Sequence, residues 1–118
     1  DINMLNQLVE YVAQNGGATV NPNNGTMPVD GFMCAIAQNE YVMDGQVTAN
    51  ALTTYIEQYA HDLEKDGAFL GIWYNTENDK TYLDTSFRFE NVDDALEFAK
   101  VNEQLAIFDL ATFNEIRL

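Results

Sequence analysis

The chain has 118 residues, of which 47% are hydrophobic and 20% are charged, a composition that is typical of a globular domain and excludes a disordered chain. Its formal net charge is −14, because 19 Asp and Glu residues face only five Lys and Arg residues. Such a surface repels phosphate groups, which argues against direct binding to nucleic acid or to an anionic membrane. It attracts basic protein surfaces, although high acidity also serves solubility or a salt-rich habitat.

The single cysteine, Cys34, lies inside the apolar run GFMCAIA and has no partner for an intramolecular disulfide. We expect it to be a small core side chain in a reducing compartment, and therefore expect a cytoplasmic protein. No stretch approaches the roughly 18 consecutive apolar residues that a transmembrane helix needs.

The first 31 residues predict a helix, a short strand and a loop. Residues 2–14 carry one apolar stripe at helical spacing, and residues 15–17 (NGG) are suited to end that helix. A short extended segment follows at 18–20. Residues 21–31, NPNNGTMPVDG, form a Pro- and Gly-containing loop whose length is compatible with a binding role. The helical stripe consists of Leu5, Leu8, Val9 and Val12.

The middle of the chain predicts a buried strand followed by a long helix. Residues 31–37 are almost continuously apolar, and residues 40–43 either extend this strand or pair with it after a turn at 38–39. Thr48 is the predicted N-cap of a helix at 49–65. The inner stripe of that helix is predicted to be Leu52, Ile56, Tyr59 and Leu63.

The last third predicts a hairpin, a helix and a final pair of strands. Two apolar runs, at 68–75 and 80–90, are joined by the polar turn NTEND. Asn91 is the predicted N-cap of a helix with Asp93 and Asp94 in its first turn. Residues 105–110 are the last clear strand, and the segment NEIRL after them is predicted to fold back as an edge.

From residue 31 onward the predicted order is strand, helix, strand, strand, helix, strand. This is the order of a ferredoxin-like split βαβ fold, with a four-stranded antiparallel sheet and two helices on one face. We therefore predict an α+β protein with a single domain at 1–118. In this interpretation residues 1–30 add an N-terminal helix and short strand to a βαββαβ core at 31–118.

The strand TYLDTSFRF alternates between an apolar face and a mixed face. Its apolar set should face the helices, whereas Trp73, Tyr82, Asp84 and Arg88 are predicted to lie on the opposite face of the sheet. Three covers for that face are considered: the N-terminal helix, a second copy in a homodimer, or a different partner.

Residues with catalytic or metal-binding potential are few. His61, the only histidine, falls opposite the predicted helical stripe and has no Cys or Ser partner at a recognisable spacing. One Cys and one His, 27 positions apart, do not make a zinc site, and NTENDKTYLD lacks the glycine and final Glu of an EF-hand loop. No phosphate-binding glycine motif occurs. The prediction is a protein without enzymatic activity, metal or cofactor.

Acidic residues concentrate on the outer faces of the two predicted core helices. Carboxylates three or four residues apart on a helix stand about 5–6 Å from each other, which is comparable with phosphate spacing along a nucleic-acid strand. The predicted partner-binding residues are Glu57, Asp62, Glu64, Asp93, Asp94, Glu97 and Glu103.

Residues 68–116, with FLGIWYN followed by YLDTSFRFENVDDALEFAKVNEQLAIFDL, resemble small acidic proteins of bacteriophages and conjugative elements. This resemblance implies an inhibitor of a host defence protein, of the antirestriction or anti-CRISPR kind, some of which imitate DNA. It carries no catalytic residues that could be transferred to this chain.

Three hypotheses follow from these observations. The first is a binding protein whose acidic helices occupy the basic, nucleic-acid-binding groove of another protein. The second is a structural subunit that self-associates through the sheet face around Trp73 and Tyr82. The third is a small enzyme or ligand-binding domain with a pocket under the loop at 21–31.

Overall fold

The computed structural model describes residues 2–118, and Asp1, where the predicted domain begins, lies outside the described residues. Residues 2–118 form an α+β structure with four helices and six strands. In chain order the elements are α1 Ile2–Asn15, β1 Gly17–Val20, β2 Phe32–Asp44, α2 Ala49–Gln58, α3 Ala60–Leu63, β3 Ala68–Asn75, β4 Lys80–Phe89, α4 Val92–Val101, β5 Ala106–Asp109 and β6 Asn114–Arg117.

All six strands belong to one sheet in the order β1-β3-β4-β2-β5-β6, and every neighbouring pair is antiparallel. The α+β class is therefore confirmed, whereas the four-stranded ferredoxin-like description is not. Two chain reversals produce the additional edge strands. Gly16, at φ 85°, joins α1 to β1, which pairs with β3 at one edge of the sheet. Phe113, at φ 57°, ends the turn that brings β6 back along β5 at the other edge.

All four helices pack on one face of the sheet, which we call the helical face; the other is the open face. Leu83 of β4 lies in the larger hydrophobic cluster together with side chains of α1, α2 and α3. Phe87 and Phe89, on the same side of β4, stack on Phe98 of α4 with ring centroids 5.5 and 5.1 Å apart. Helix α1 therefore lies with the other helices and does not cover the open face.

The prediction of one continuous helix at 49–65 is wrong, because the helix breaks at Tyr59. There the backbone has φ −110° and ψ 24°, and the Tyr59 ring packs on Tyr55 with centroids 4.7 Å apart. The predicted cap is confirmed, since the Thr48 hydroxyl accepts a hydrogen bond from the Ala51 amide at 3.1 Å. Tyr55, which the predicted stripe omitted, is buried.

A buried polar network connects the broken helix with the irregular part of β2. Residues 32–44 form one strand, with an irregularity between Ile36 and Tyr41 that directs Asn39 into the interior. The Asn39 carbonyl accepts a hydrogen bond from the Tyr55 hydroxyl at 2.8 Å. Its side-chain amide donates to the Asp62 carboxylate at 3.0 Å and to the Thr85 hydroxyl at 3.2 Å. The network ties the bulge to α2, α3 and β4.

None of the helices within residues 2–118 combines the length and the apolar character that a membrane span requires.

Candidate functional site: a groove on the open face

The open face contains a groove with a cavity of about 780 Å³. Residues from both edge strands line it, Thr19 of β1 on one side and Glu115 of β6 on the other, which requires the sheet to curl around the cavity. Several of the open-face strand positions that line the groove are small or short. These positions are Gly17, Thr19, Ala35, Gly71, Ser86 and Ala106.

The loop at 21–31 forms one wall of the groove through Met27, Pro28 and Val29. Arg88 of β4 holds this loop against the open face. Its Nε donates to the Asp30 carbonyl at 2.8 Å, and its Nη2 donates to the Asp30 carboxylate at 2.6 Å. The pair is partly shielded from water, since the Arg88 side chain is only 25% exposed.

The turn between β5 and β6 forms the opposite wall. Phe113 is 77% exposed and lies 6.2 Å from the Phe108 ring, centroid to centroid. Both walls are connected, because the Leu110 amide donates to the Gly31 carbonyl at 3.0 Å. The groove is thus bounded by two non-helical segments that share a backbone hydrogen bond.

Asp84 is the charged side chain at the centre of the groove. It lies opposite Gly71 in the β3–β4 ladder, and its carboxylate accepts a hydrogen bond from the Ser86 hydroxyl at 2.7 Å. Burial raises the pKa of Asp84 above its usual value, and the negative charge of Glu40 adds to that effect. The Ser86 hydrogen bond acts in the opposite direction and is a smaller effect than burial, although a larger one than the Glu40 charge.

Trp73 stands at one end of the groove and is 55% exposed. It forms a cross-strand pair with Tyr82, and the ring centroids are 5.4 Å apart. Paired aromatic rings lose less conformational entropy when they bind a ligand than a single mobile side chain does.

The four predicted sheet-face residues occupy different places: Trp73 and Asp84 line the cavity, Tyr82 supports Trp73, and Arg88 anchors the wall.

The lining of the groove is acidic and aromatic. Of the residues that line it, Asp84 and Glu115 are acidic and none is Lys, Arg or His. Trp73, Phe108 and Phe113 supply aromatic side chains from the sheet and its last turn, and Tyr11 of α1 borders the groove beyond the edge strand β1. A partly apolar groove with a half-buried carboxyl group suits a ligand that offers a hydrogen-bond donor or a positive charge.

Sequence reasoning missed Gly71, Met27 and Phe113 as parts of this site. The composition of the 21–31 loop indicated that it could bind something, but no local pattern indicated which sheet face it crosses. Gly71 could have been noticed as an isolated glycine inside a strand, which often marks the close approach of another group.

The predicted acidic residues lie on the helical face in two groups. Helix α4 packs on β2, β4 and β5, whereas α2 packs on α1 and α3. Asp93 and Asp94 flank the α4 cap, where the Asn91 side chain accepts a hydrogen bond from the Asp93 amide at 2.7 Å. Most of the predicted set is exposed: Glu57, Glu64, Asp93, Asp94, Glu97 and Glu103.

Asp62 differs from the other predicted acidic residues because it has a structural role. Its carboxylate accepts a hydrogen bond from Asn39 and forms an ion pair with Lys65 at 2.9 Å. The Asn39 hydrogen bond is the main reason why its pKa lies below the usual value. Asp62 is therefore only partly free to contact another molecule.

No group of three or more His, Cys, Asp or Glu side chains within residues 2–118 comes together as a metal site. The fold and the groove define an α+β protein with a curled antiparallel sheet, helices on its outer face and an open cavity on the other. No family model, curated protein or solved structure matches this chain.

Proposed function

We propose that this chain is a non-enzymatic binding protein whose acidic helical face binds a basic surface of another protein. One observation carries this proposal. Four of the five basic side chains, Lys65, Lys80, Arg88 and Arg117, are already held in ion pairs by carboxylates near them. Very little positive charge is therefore left to neutralise the exposed carboxylates of the helices.

Within the described residues, the exposed carboxylates of α2 and α4 have no ion-pair partner. Within residues 2–118, none of Glu57, Asp94 and Glu97 forms an ion pair. Asp93 and Asp94 lie four and three residues before Glu97 on α4, so these groups share one side of the helix. A basic groove that has evolved to hold phosphates offers the complementary charge.

The favoured partner is accordingly a nucleic-acid-binding protein, with the helices occupying the place of a nucleic-acid backbone. Inhibition of a host defence protein, as implied by the resemblance to proteins of mobile elements, is one form of this activity. Binding of this kind depends on electrostatic attraction, so we expect the affinity to fall steeply as salt increases.

Charge reversal on α4 tests the proposal. The double variant Asp94→Lys with Glu97→Lys changes the net charge from −14 to −10. A matched control, Glu77→Lys with Glu115→Lys, makes the same change at the hairpin turn and on β6, away from the helical face. Each protein is immobilised at low salt and used to capture partners from a lysate of the source organism, followed by elution with salt.

The proposal predicts that wild type and control retain the same basic protein and that the α4 variant loses it. The captured protein, once purified, should bind duplex DNA or RNA, and this chain should compete with that binding. Equal capture by all three proteins would show that net charge alone is responsible. A captured partner whose nucleic-acid binding is unaffected by the chain would exclude mimicry.

The alternative function is self-association through the open face, where Trp73 and Phe113 expose aromatic surface. Two copies related by a twofold axis would present the same concave face to each other and would meet only along the rims of their grooves. The curl of the sheet therefore favours a smaller ligand inside the groove over a second copy of this chain.

A further inference from the structure

We infer that the groove on the open face is a binding site for a small organic cation, an amine with an apolar body, whose ammonium group is held by Asp84 and whose body packs against Trp73. This site is independent of the proposed function, because it lies on the opposite side of the sheet from the acidic helices.

The position of Asp84 is the first reason for this assignment. Two neighbours explain how a carboxyl group can occupy an otherwise apolar cavity: Gly71 leaves room for it, and Ser86 donates one hydrogen bond to it. No Lys, Arg or His among the residues that line the groove neutralises it. The Asp84 carboxylate is half-buried and has one hydrogen bond, so it has unused acceptor capacity, which an ammonium group with three donors would satisfy.

The second reason is the distribution of charge around the cavity. The charge of Glu40 acts on Asp84, whereas the charge of Glu115, which lines the groove on β6, is compensated by its ion pair with Arg117. Both cations of β4 are engaged by other carboxylates, Arg88 by Asp30 and Lys80 by Asp44. The local field therefore attracts cations and repels carboxylates and phosphates.

The third reason is the aromatic and apolar surface that surrounds the carboxyl group. The Trp73 ring is exposed at one end of the groove, and the face of an aromatic ring attracts a neighbouring cation. Met27 and Phe113 provide apolar surface from the two walls. The cavity of about 780 Å³ lies within the range of known small-ligand sites.

A matched series of probes separates charge from apolar contact: 4-phenylbutylamine, 4-phenylbutan-1-ol and 4-phenylbutyrate. They share one body and differ in the terminal group. Each is titrated into the ¹⁵N-labelled protein at neutral pH and about 0.15 M salt, where weak surface attraction is screened. Chemical-shift changes are followed at the Gly71 and Ser86 amides and at the indole of Trp73, which is the only tryptophan.

We expect the amine to bind at least about tenfold more tightly than the alcohol, and the carboxylate to bind more weakly than both. Asp84→Asn should reduce the affinity for the amine to that for the alcohol. Glu77→Gln, which removes the same charge from the exposed hairpin turn, should leave the amine affinity unchanged. The Asp94→Lys, Glu97→Lys variant should also bind the amine normally, which separates this test from that of the proposed function.

Five results would overturn the inference. Equal affinities for amine and alcohol would indicate a purely apolar cavity. Amine binding that survives Asp84→Asn would indicate diffuse attraction to the acidic chain. Saturable shifts confined to the helices, or no saturable binding of any probe up to about 10 mM, would remove the site. Shifts of Gly71 and Ser86 that follow protein concentration without a probe would show that a second copy fills the groove.

Discussion

Asp84 and Gly71 face each other across the β3–β4 ladder, and the Asp84 carboxyl group occupies the space in which a Cβ atom at position 71 would stand. A Cβ there would be 2.9 Å from Asp84 Cγ, which is closer than van der Waals contact permits. The smallest side chain in β3 thus makes room for the charged group at the centre of the groove. This relationship gives two predictions about stability.

Gly71→Ala should destabilise the protein by about 1–2 kcal/mol, because the added methyl group displaces the Asp84 carboxyl group from its place beside Ser86. In an Asp84→Ala background the same substitution should cost much less, because the overlapping group is gone. Urea denaturation of the two single variants and the double variant measures the coupling. If the free-energy costs of Gly71→Ala and Asp84→Ala simply add in the double variant, position 71 and the Asp84 carboxyl group are not in contact.

Asp84→Asn should stabilise the protein at neutral pH. Burial raises the folded-state pKa of Asp84, so the folded chain binds this proton more tightly than the unfolded chain does. The stabilisation that this proton provides in wild type is complete below the unfolded value of about 3.9 and is lost as pH rises through the folded value. The variant should therefore gain most at neutral pH and nothing at about pH 3.

Thermal denaturation between these two pH values measures the effect of Asp84→Asn. A gain of about 1 kcal/mol would raise Tm by about 4 °C in a chain of this size. Glu77→Gln is the control, since it lowers the net negative charge equally at an exposed position. If the difference in Tm between the two variants does not change with pH, burial of the Asp84 charge is not its cause.

Tyr55→Phe should destabilise the protein by about 1–3 kcal/mol. The substitution leaves the buried Asn39 carbonyl without the hydroxyl that now donates to it at 2.8 Å. It also removes a 3.0 Å contact with the Thr85 hydroxyl. Tyr41→Phe, at a tyrosine that is 50% exposed, should have almost no effect in the same urea titration. Equal effects would mean that the polar network does not stabilise the bulge of β2.

Arg88→Lys should loosen the groove wall with little change in global stability. A lysine cannot make both bonds that Arg88 makes with Asp30, so amide exchange in residues 26–31 should accelerate. The global cost should stay below about 1 kcal/mol, since Asp30 is 70% exposed. Arg117→Lys, which alters an exposed pair with Glu115, is the control and should leave the exchange rates of that loop unchanged.

Cys34 should be unreactive toward thiol reagents in the folded protein. It is 1% exposed, and burial raises the pKa of its thiol to about 11, so both access and the thiolate fraction are low at pH 8. Modification by a chromogenic disulfide reagent should follow the rate of unfolding and become fast in concentrated urea. Rapid stoichiometric labelling without denaturant would show that the α4 side of the core opens readily.

Much of the secondary structure was predictable because it depends on local chemistry. Of the predicted stripe, Leu5, Leu8 and Val12 are buried and Val9 is partly buried, as the spacing indicates, and Asn91 caps α4. The break at Tyr59 was not predictable, because its local spacing is compatible with a continuous helix. The break occurs beside α3, whose Asp62 accepts a hydrogen bond from Asn39, 23 positions earlier in the chain.

The candidate groove was predictable only in part. Alternation along β4 indicated that Tyr82, Asp84 and Arg88 share one face of the sheet, since successive strand residues point to opposite sides. Alternation says nothing about how strongly a sheet curls or which loop crosses it. The Arg88–Asp30 contact, which determines the wall of the groove, joins residues 58 positions apart.

The sequence by itself determined the α+β class, the acidity of the surface and the side of β4 on which Asp84 lies. Composition and short-range periodicity reflect intrinsic preferences that act within a few residues, so they can be read without coordinates. The number of strands, the curl of the sheet and the cavity around Asp84 were decided only by the tertiary structure. Those features depend on pairing between distant segments, whose free energy is set by packing that no local window contains.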